Sequence, residues 1–212
     1  MAADWTGKDN DGEIKDAEWV DGKFGKALDF DGAKSHVIIP DDEVFNDIEE
    51  ITILAWVNLR RGVTSGSWNV VVGKNPYPSG YLMWIEVPNE PCGLVFSPGR
   101  ADCRAGVQID TDTWYHLAFT RAVDGGMEFY IDGVLVKEAP STAGPIATAG
   151  VPLSIGGQSP QIIDGIIDEV ILFNVVVEEE DINAIMERGL ESATAVDAEG
   201  KLATTWANIK TE

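Results

Sequence analysis

The stretch from Trp114 to Glu138 constrains the fold more than any other part of the sequence. Three β-favouring runs, Trp114–Ala122, Met127–Ile131 and Val134–Lys137, are separated by Asp-Gly pairs, which supply the positive φ angles of tight hairpin turns. In the middle run apolar and polar residues alternate, so one face of the strand meets a core and the other meets solvent. The stretch therefore predicts an antiparallel β-meander within an all-β fold.

The composition limits the class of protein. A chain of 212 residues, 44% of them hydrophobic, can bury a large core, and sandwiches of this length commonly form one domain, so we expect a single domain over residues 1–212. The 36 acidic and 15 basic residues give a formal charge of −21, which repels nucleic acids and anionic membranes. The excess acids either form a solubilising surface or collect hard cations such as calcium.

Two further features bear on the cellular compartment. No apolar run approaches the ~18 residues of a membrane span, so no membrane insertion is expected, and the N-terminus shows no basic and apolar leader. Cys92 and Cys103 enclose a short loop rich in glycine and proline. This spacing favours a disulfide and an oxidising compartment over two free thiols, so we expect a secreted or cell-surface protein.

Other elements follow from turn signals and periodicity. An Asp-Gly turn after Leu28–Asp31 predicts a hairpin. The runs Ile51–Leu59 and Gly165–Asn174 carry apolar residues on both faces, which is typical of central strands. In Glu178–Arg188 the apolar residues recur at helical spacing, acids crowd the first turn and a glycine follows, which predicts one short helix.

Several motifs stand in the order found in laminin G-like domains, the jelly rolls of the concanavalin A-like lectin and glucanase superfamily. They are F-D-G from Phe30, T-I-x-A-W-V from Thr52, W-x-H-L-A-x-T from Trp114 and then F-Y-I-D-G-V-L-V, and G-I-I-D-E-V-I-L-F-N from Gly165, which is close to the family's G-x-I-D-E-V-x-I-[YF]-N. The resemblance covers about residues 24–190 and leaves 191–212 as a loose end or a final strand around Leu202–Trp206. It implies an antiparallel β-sandwich of concanavalin A-like jelly-roll type with one short C-terminal helix.

The sequence gives little support for catalysis. Glycanases of this superfamily pair acids in the pattern E-x-D-x-x-E, because nucleophile and general acid must flank one glycosidic bond about 5.5 Å apart. That pattern is absent, Glu86 stands alone two residues after Trp84, and His116 lies in the W-x-H motif, where a satisfied histidine beside the core is favoured over a base. We expect a non-catalytic module, with a glycosidase or polysaccharide lyase of unrecognised acid arrangement as the alternative.

The resemblance also implies a structural calcium ion. In related jelly rolls an acid from the opening hairpin and an acid from the last long strand hold the ion together with turn carbonyls, and Asp31 and Asp168 stand in the corresponding motifs here. The other interpretation is that Asp31 forms a turn and Asp168 is a surface acid.

Residues for ligand binding are sought among aromatics outside the apolar alternation, because sugar rings stack on Trp and Tyr while polar side chains bond to their hydroxyls. Trp68 and Tyr77 stand in loops, and Asn75, Arg100 and Arg104 stand in nearby segments. Each aromatic could instead cover a core edge. The sequence thus favours a secreted or surface-exposed module that binds glycan or extracellular protein, and a structural or assembly module of a larger exported protein is a further alternative.

Overall fold

The computed structural model describes residues 1–63, 68–74, 79–96, 100–148, 150–157 and 161–189, together with the backbone of 202–206. The strands and the helix of this part of the chain are β1 Glu13–Lys15, β2 Glu18–Asp21, β3 Lys26–Asp31, β4 His36–Ile39, β5 Ile51–Leu59, β6 Asn69–Lys74, β7 Gly80–Glu86, β8 Glu90–Phe96, β9 Arg100–Arg104, β10 Trp114–Arg121, β11 Gly126–Ile131, β12 Val134–Pro140, β13 Leu153–Ile155, β14 Asp164–Phe173, α1 Glu179–Arg188 and β15 Leu202–Trp206.

The strands form two antiparallel sheets. The seven-stranded sheet has the order β1-β4-β13-β6-β7-β8-β9, and the eight-stranded sheet has the order β12-β11-β10-β5-β14-β3-β2 with β15 beside β14. The predicted all-β sandwich is therefore confirmed. The tail supplies β15, which is the second of the two outcomes expected for it.

The meander from Trp114 to Glu138 becomes β10, β11 and β12. Leu117 pairs with Ile131 and Phe119 with Phe129 across the first hairpin. Asp132 and Gly133 have φ angles of 49° and 75°, so the second turn uses the left-handed backbone conformation that its Asp-Gly sequence favours. The local sequence signal and the tertiary pairing agree here.

The core lies between the two sheets, and the sheets approach each other closely under β10. Phe119 is fully buried, and its ring centroid lies 6.3 Å from that of Phe129. The same ring packs on the backbone of Gly93 in β8, where an added Cβ would lie 2.0 Å from a ring carbon. Each buried Phe contributes about 1.5–3 kcal/mol of transfer free energy, and Gly93 lets the two sheets approach closely at this point.

Helix α1 covers part of the outer face of the eight-stranded sheet. Ile182 and Ile185, which the sequence placed on its apolar stripe, are buried against Leu54, Ile171 and neighbouring apolar residues. Gly189 ends the helix with a φ of 72°, and its N–H donates to the carbonyl of residue 185. Within the described residues, no helix is both long and apolar enough to cross a bilayer.

Candidate functional site

A cluster of aromatic and charged side chains lies on the outer face of the seven-stranded sheet. In β9 the inward Ala101 and Cys103 contact the core, so Arg100, Asp102 and Arg104 point to the opposite, outer face. The same alternation places outward residues of β7 beside them, and Trp68 precedes β6 at the same surface. We name this set the outer-face cluster; it consists of Trp68, Trp84, Glu86, Arg100, Asp102 and Arg104.

Two indole rings form the apolar part of the outer-face cluster. The ring centroids of Trp68 and Trp84 lie 6.0 Å apart at 40°. Trp84 is fully buried among Leu82, Cys92 and other apolar residues, whereas Trp68 is partly exposed. Trp68 is therefore the ring that a ligand can reach, and the buried Trp84 packs against it on the side of the sheet.

A network of paired charges borders the rings. Arg100 donates from Nε and Nη2 to the two carboxylate oxygens of Asp102, at 2.8 Å each. Arg104 pairs with Glu86 and lies 3.5 Å from Asp102. The indole N–H of Trp84 donates to Glu86 Oε2 at 3.4 Å. Two-point Arg–carboxylate pairing fixes the planes of both groups, so the network is preorganised.

Arg100 also contacts the aromatic part of the cluster. Its guanidinium carbon lies 5.4 Å from the ring centroid of Trp68. A guanidinium beside a ring face is attracted by the ring quadrupole, which orients the ring and places hydrogen-bond donors at its border. The arrangement presents an aromatic surface next to groups that donate and accept hydrogen bonds.

The structure brings together three of the five residues predicted for ligand binding. Trp68, Arg100 and Arg104 belong to one cluster, whereas Asn75 and Tyr77 lie outside the described residues. The sequence interpretation missed Asp102. The alternation R-x-D-x-R in Arg100–Arg104 could have revealed it, because residues at i, i+2 and i+4 of a strand share a face. Glu86 is not the lone carboxylate that the sequence suggested, since it pairs with Arg104.

The predicted disulfide between Cys92 and Cys103 is wrong: both are buried free cysteines. In the β8–β9 pair, Cys92 lies opposite Arg104 and Cys103 lies opposite Gly93. The two thiols therefore point to opposite faces of the sheet, Cys92 into the apolar layer under Trp68 and Cys103 into the main core. Burial raises the pKa of Cys103 to about 12 and raises that of Cys92 further, so both stay protonated.

The prediction that Asp31 and Asp168 share a calcium ion is also wrong in its geometry. Asp31 pairs with Asp164 across β3 and β14, and Asp168 lies four residues further along β14. At the rise of a strand this separates the two positions by about 13 Å. Antiparallel pairing within the eight-stranded sheet brings β3 and β14 together, as expected, but in a register that keeps these acids apart.

Both carboxylates are held by backbone N–H groups instead. Asp31 Oδ1 accepts from the N–H groups of residues 33, 34 and 35 and from the hydroxyl of Ser35. Burial alone would raise the pKa of Asp31, but these hydrogen bonds outweigh it and lower the pKa well below its usual range. The buried Asp168 accepts from the N–H groups of Phe24 and Glu169 at 2.9 Å each. These hydrogen bonds stabilise both carboxylates without a cation, and within the described ranges no three His, Cys, Asp or Glu side chains converge on a metal position.

His116 is a buried structural residue. Its ring lies 5.3 Å from that of Trp56, and burial lowers its pKa to about 3, so it is neutral at physiological pH. The expectation of a satisfied histidine holds only in part, since His116 Nδ1 and Trp56 Nε1 have no hydrogen-bond partner among the described residues. The tip of the β2–β3 hairpin lies over this pair, with Lys23 Nζ 4.1 Å from the ring centroid of Trp56.

Comparison with known proteins agrees with this fold. A family model described as the concanavalin A-like lectin/glucanases superfamily, a laminin G-like family, matches residues 31–183. A search of curated proteins finds no match. The chain is similar to domain 4 of AbnA, a GH43 extracellular arabinanase from Geobacillus stearothermophilus, in complex with arabinotriose. The TM-score is 0.72 and the identity 20%, over 86% of this chain and 91% of that one.

Two toxin domains are similar as well. The binding domain of Paraclostridial Mosquitocidal Protein 1 gives a TM-score of 0.72 at 15% identity, over 86% of this chain and 48% of that one. The binding domain of botulinum neurotoxin DC in complex with SialylT gives 0.66 at 15% identity, over 84% and 46%. The chain thus spans about half the length of each toxin binding domain. At these sequence identities, the structural similarity establishes a shared fold and no more.

The family model covers more than half of the chain, and the two-sheet architecture with its closing helix agrees with it. The chain belongs to the laminin G-like family of the concanavalin A-like lectin/glucanases superfamily.

Proposed function

We propose that the chain is a non-catalytic, exported binding module that holds a glycan on its outer-face cluster. The observation that carries this proposal is the partly exposed Trp68 ring beside the Arg100–Asp102 pair. The C–H faces of a sugar stack on an indole ring, and its hydroxyls bond to charged groups held in fixed planes. The cluster offers both kinds of contact within one surface.

Two similar structures support glycan as the ligand class. The arabinanase domain was solved in complex with arabinotriose, and a toxin binding domain was solved in complex with SialylT. The same toxin binding domain was also solved in complex with rat synaptotagmin II, which keeps a protein as the alternative ligand class. The aromatic and polar composition of the outer-face cluster favours a glycan here.

Export is supported by the extracellular arabinanase to which the chain is similar. The cysteines no longer support it, because they do not form a disulfide. Calcium binding stays a prediction, and the pair Asp31 and Asp168 is not the site for it.

A glycan array followed by calorimetry on the best ligand tests the proposal. Trp68→Ala should weaken binding at least about tenfold, or about 1.4 kcal/mol, because the exposed stacking surface is lost. Trp19→Ala is the matched control, since Trp19 is 37% exposed but lies on β2 of the other sheet. Equal binding by both variants would reject the outer-face cluster as the site.

An assay for released reducing ends separates the module from a glycosidase. We expect no turnover of polysaccharides that the chain binds, since Glu86 is engaged by Arg104 and by the Trp84 indole. Turnover that disappears in Glu86→Gln would establish the enzyme alternative. Absence of glycan binding together with capture of a defined protein partner would favour the assembly module.

A further inference from the structure

The charges of the outer-face cluster cancel within the cluster. Arg100 and Arg104 are both paired with carboxylates, those of Asp102 and Glu86. Glu90, which lies opposite Glu86 across the β7–β8 hairpin, adds a third carboxylate to the same face. Two guanidinium groups and three carboxylates leave one excess negative charge on this surface.

The chain segments next to the cluster in sequence add no charge. Residues 64–67 read T-S-G-S, residues 75–78 read N-P-Y-P and residues 97–99 read S-P-G. These segments contain no Arg, Lys, Asp or Glu. Among the described residues, the charge balance of this surface is that of the two arginines and the three carboxylates.

From this balance we infer that the ligand of the outer-face cluster is a neutral glycan rather than one that carries carboxylates or sulfates. The inference rests on the proposed function. An anionic sugar would compete with Asp102 and Glu86 for the two guanidinium groups, and a displaced carboxylate would lose its partner. It would also approach a chain with a formal charge of −21.

A neutral sugar meets no such competition. Each sugar hydroxyl both donates and accepts, so it can add to an Arg–carboxylate pair without breaking it. The side chains remain reachable, since those of Arg100 and Arg104 are 40% and 42% exposed. Pairs of opposite charge held in fixed planes are suited to uncharged hydroxyls, while an unpaired arginine is suited to a carboxylate.

The first test compares arabinotriose with galacturonotriose by calorimetry at low and at high salt. We expect the neutral trisaccharide to bind at least about tenfold more tightly, with an affinity that salt changes by less than about twofold. Tighter binding of the acidic trisaccharide, weakened by salt, would overturn the inference and leave the proposed function intact. Because the sugar is not fixed in advance, a neutral and an acidic glycan panel accompany the trisaccharides, and binding to neither panel would overturn the inference and the proposed function together.

The second test changes the charge of the site. Asp102→Asn removes the carboxylate that pairs with Arg100, so affinity for galacturonotriose should rise at least about tenfold over the parent chain. Asp21→Asn is the control, since it changes the net charge equally but lies at an exposed pair with Lys26 on the other sheet. Melting curves of both variants check the fold. An unchanged affinity of folded Asp102→Asn for the acidic trisaccharide would contradict the account of paired charges.

Discussion

The outer faces of the two sheets are covered by different kinds of groups. On the eight-stranded sheet, Leu54, Ile171 and Phe173 are covered by helix α1 and form a second apolar core. On the seven-stranded sheet, Trp84 and its apolar neighbours are covered by Trp68 and bordered by paired charges. The first face stabilises the fold, because its groups are apolar and supplied by the chain itself.

The second face has a different physical character. Helix α1 covers the apolar side chains of the first face, so no aromatic ring there is accessible to a ligand. On the second face, a partly exposed Trp beside fixed polar groups is accessible. Stability and binding should therefore respond to different residues.

Replacing Phe173 should damage the helix-covered face most. Phe173→Ala leaves a cavity under α1 and should lower the free energy of unfolding by about 3–5 kcal/mol, measured by urea denaturation. Glycan affinity of the folded fraction should stay within about twofold of the parent. Val134→Ala, at a residue 62% exposed, is the control and should change stability by less than about 0.5 kcal/mol. A loss no greater than that of the control would mean that α1 does not pack there.

Burial of His116 should make stability depend on pH. Its pKa of about 3 in the folded chain is depressed from about 6.5 in the unfolded chain, so between these values the unfolded state binds the additional proton. The contribution of neutral His116 to the free energy of unfolding is therefore fully present above about pH 6.5 and is lost as the pH falls. At about pH 4 the free energy of unfolding should be about 3 kcal/mol lower than at neutral pH.

The measurement compares urea unfolding of the parent and His116→Gln across this pH range. The variant lacks the titrating ring, so the difference between the two chains should shrink towards acid. Its neighbour Asp132 accepts a hydrogen bond from the His116 backbone and is unchanged in both chains. A constant difference at all pH values would show that His116 is solvated in the folded state.

Loss of the Asp31 carboxylate should have a smaller effect that does not depend on calcium. Asp31→Ala removes four hydrogen bonds at an exposed turn and should cost about 1 kcal/mol. The loss should be equal with calcium and with chelator. A larger loss in calcium than in chelator would restore Asp31 as a metal ligand.

Reductant should have the smallest effect. Because Cys92 and Cys103 lie on opposite faces of the β8–β9 pair, the melting temperature should be the same with and without dithiothreitol. Both thiols should resist alkylation in the folded protein and react fully in denaturant without reductant. Thiols that stay blocked in denaturant would mean that the strand register differs from the one described.

What the sequence predicted correctly is local. The Asp-Gly turns set the hairpins of Trp114–Glu138, and the spacing of Ile182 and Ile185 set the helix, because each signal lies within a few residues. Trp68, Arg100 and Arg104 stand outside the apolar core pattern, and alternation along β9 places the two arginines on the face where Trp68 lies.

What the sequence did not predict depends on register. A shift of one residue turns a side chain to the other face, which is why Cys92 and Cys103 are close in sequence but do not meet. A shift of four residues along β14 separates Asp168 from Asp31 although their strands pair. Turn dipeptides and apolar periodicity do not determine register between distant strands.

The central claim, that Trp68 holds the glycan, is tested most directly by NMR of ¹⁵N-labelled protein. Each of the seven Trp side chains gives one indole N–H signal, and substitution of single Trp residues assigns them. During titration with the best neutral glycan, the signal of Trp68 should shift most and saturate, with a smaller shift for Trp84, while those of Trp19 and Trp56 stay in place. Saturable shifts at Trp19 or Trp56 with Trp68 unchanged would contradict the account.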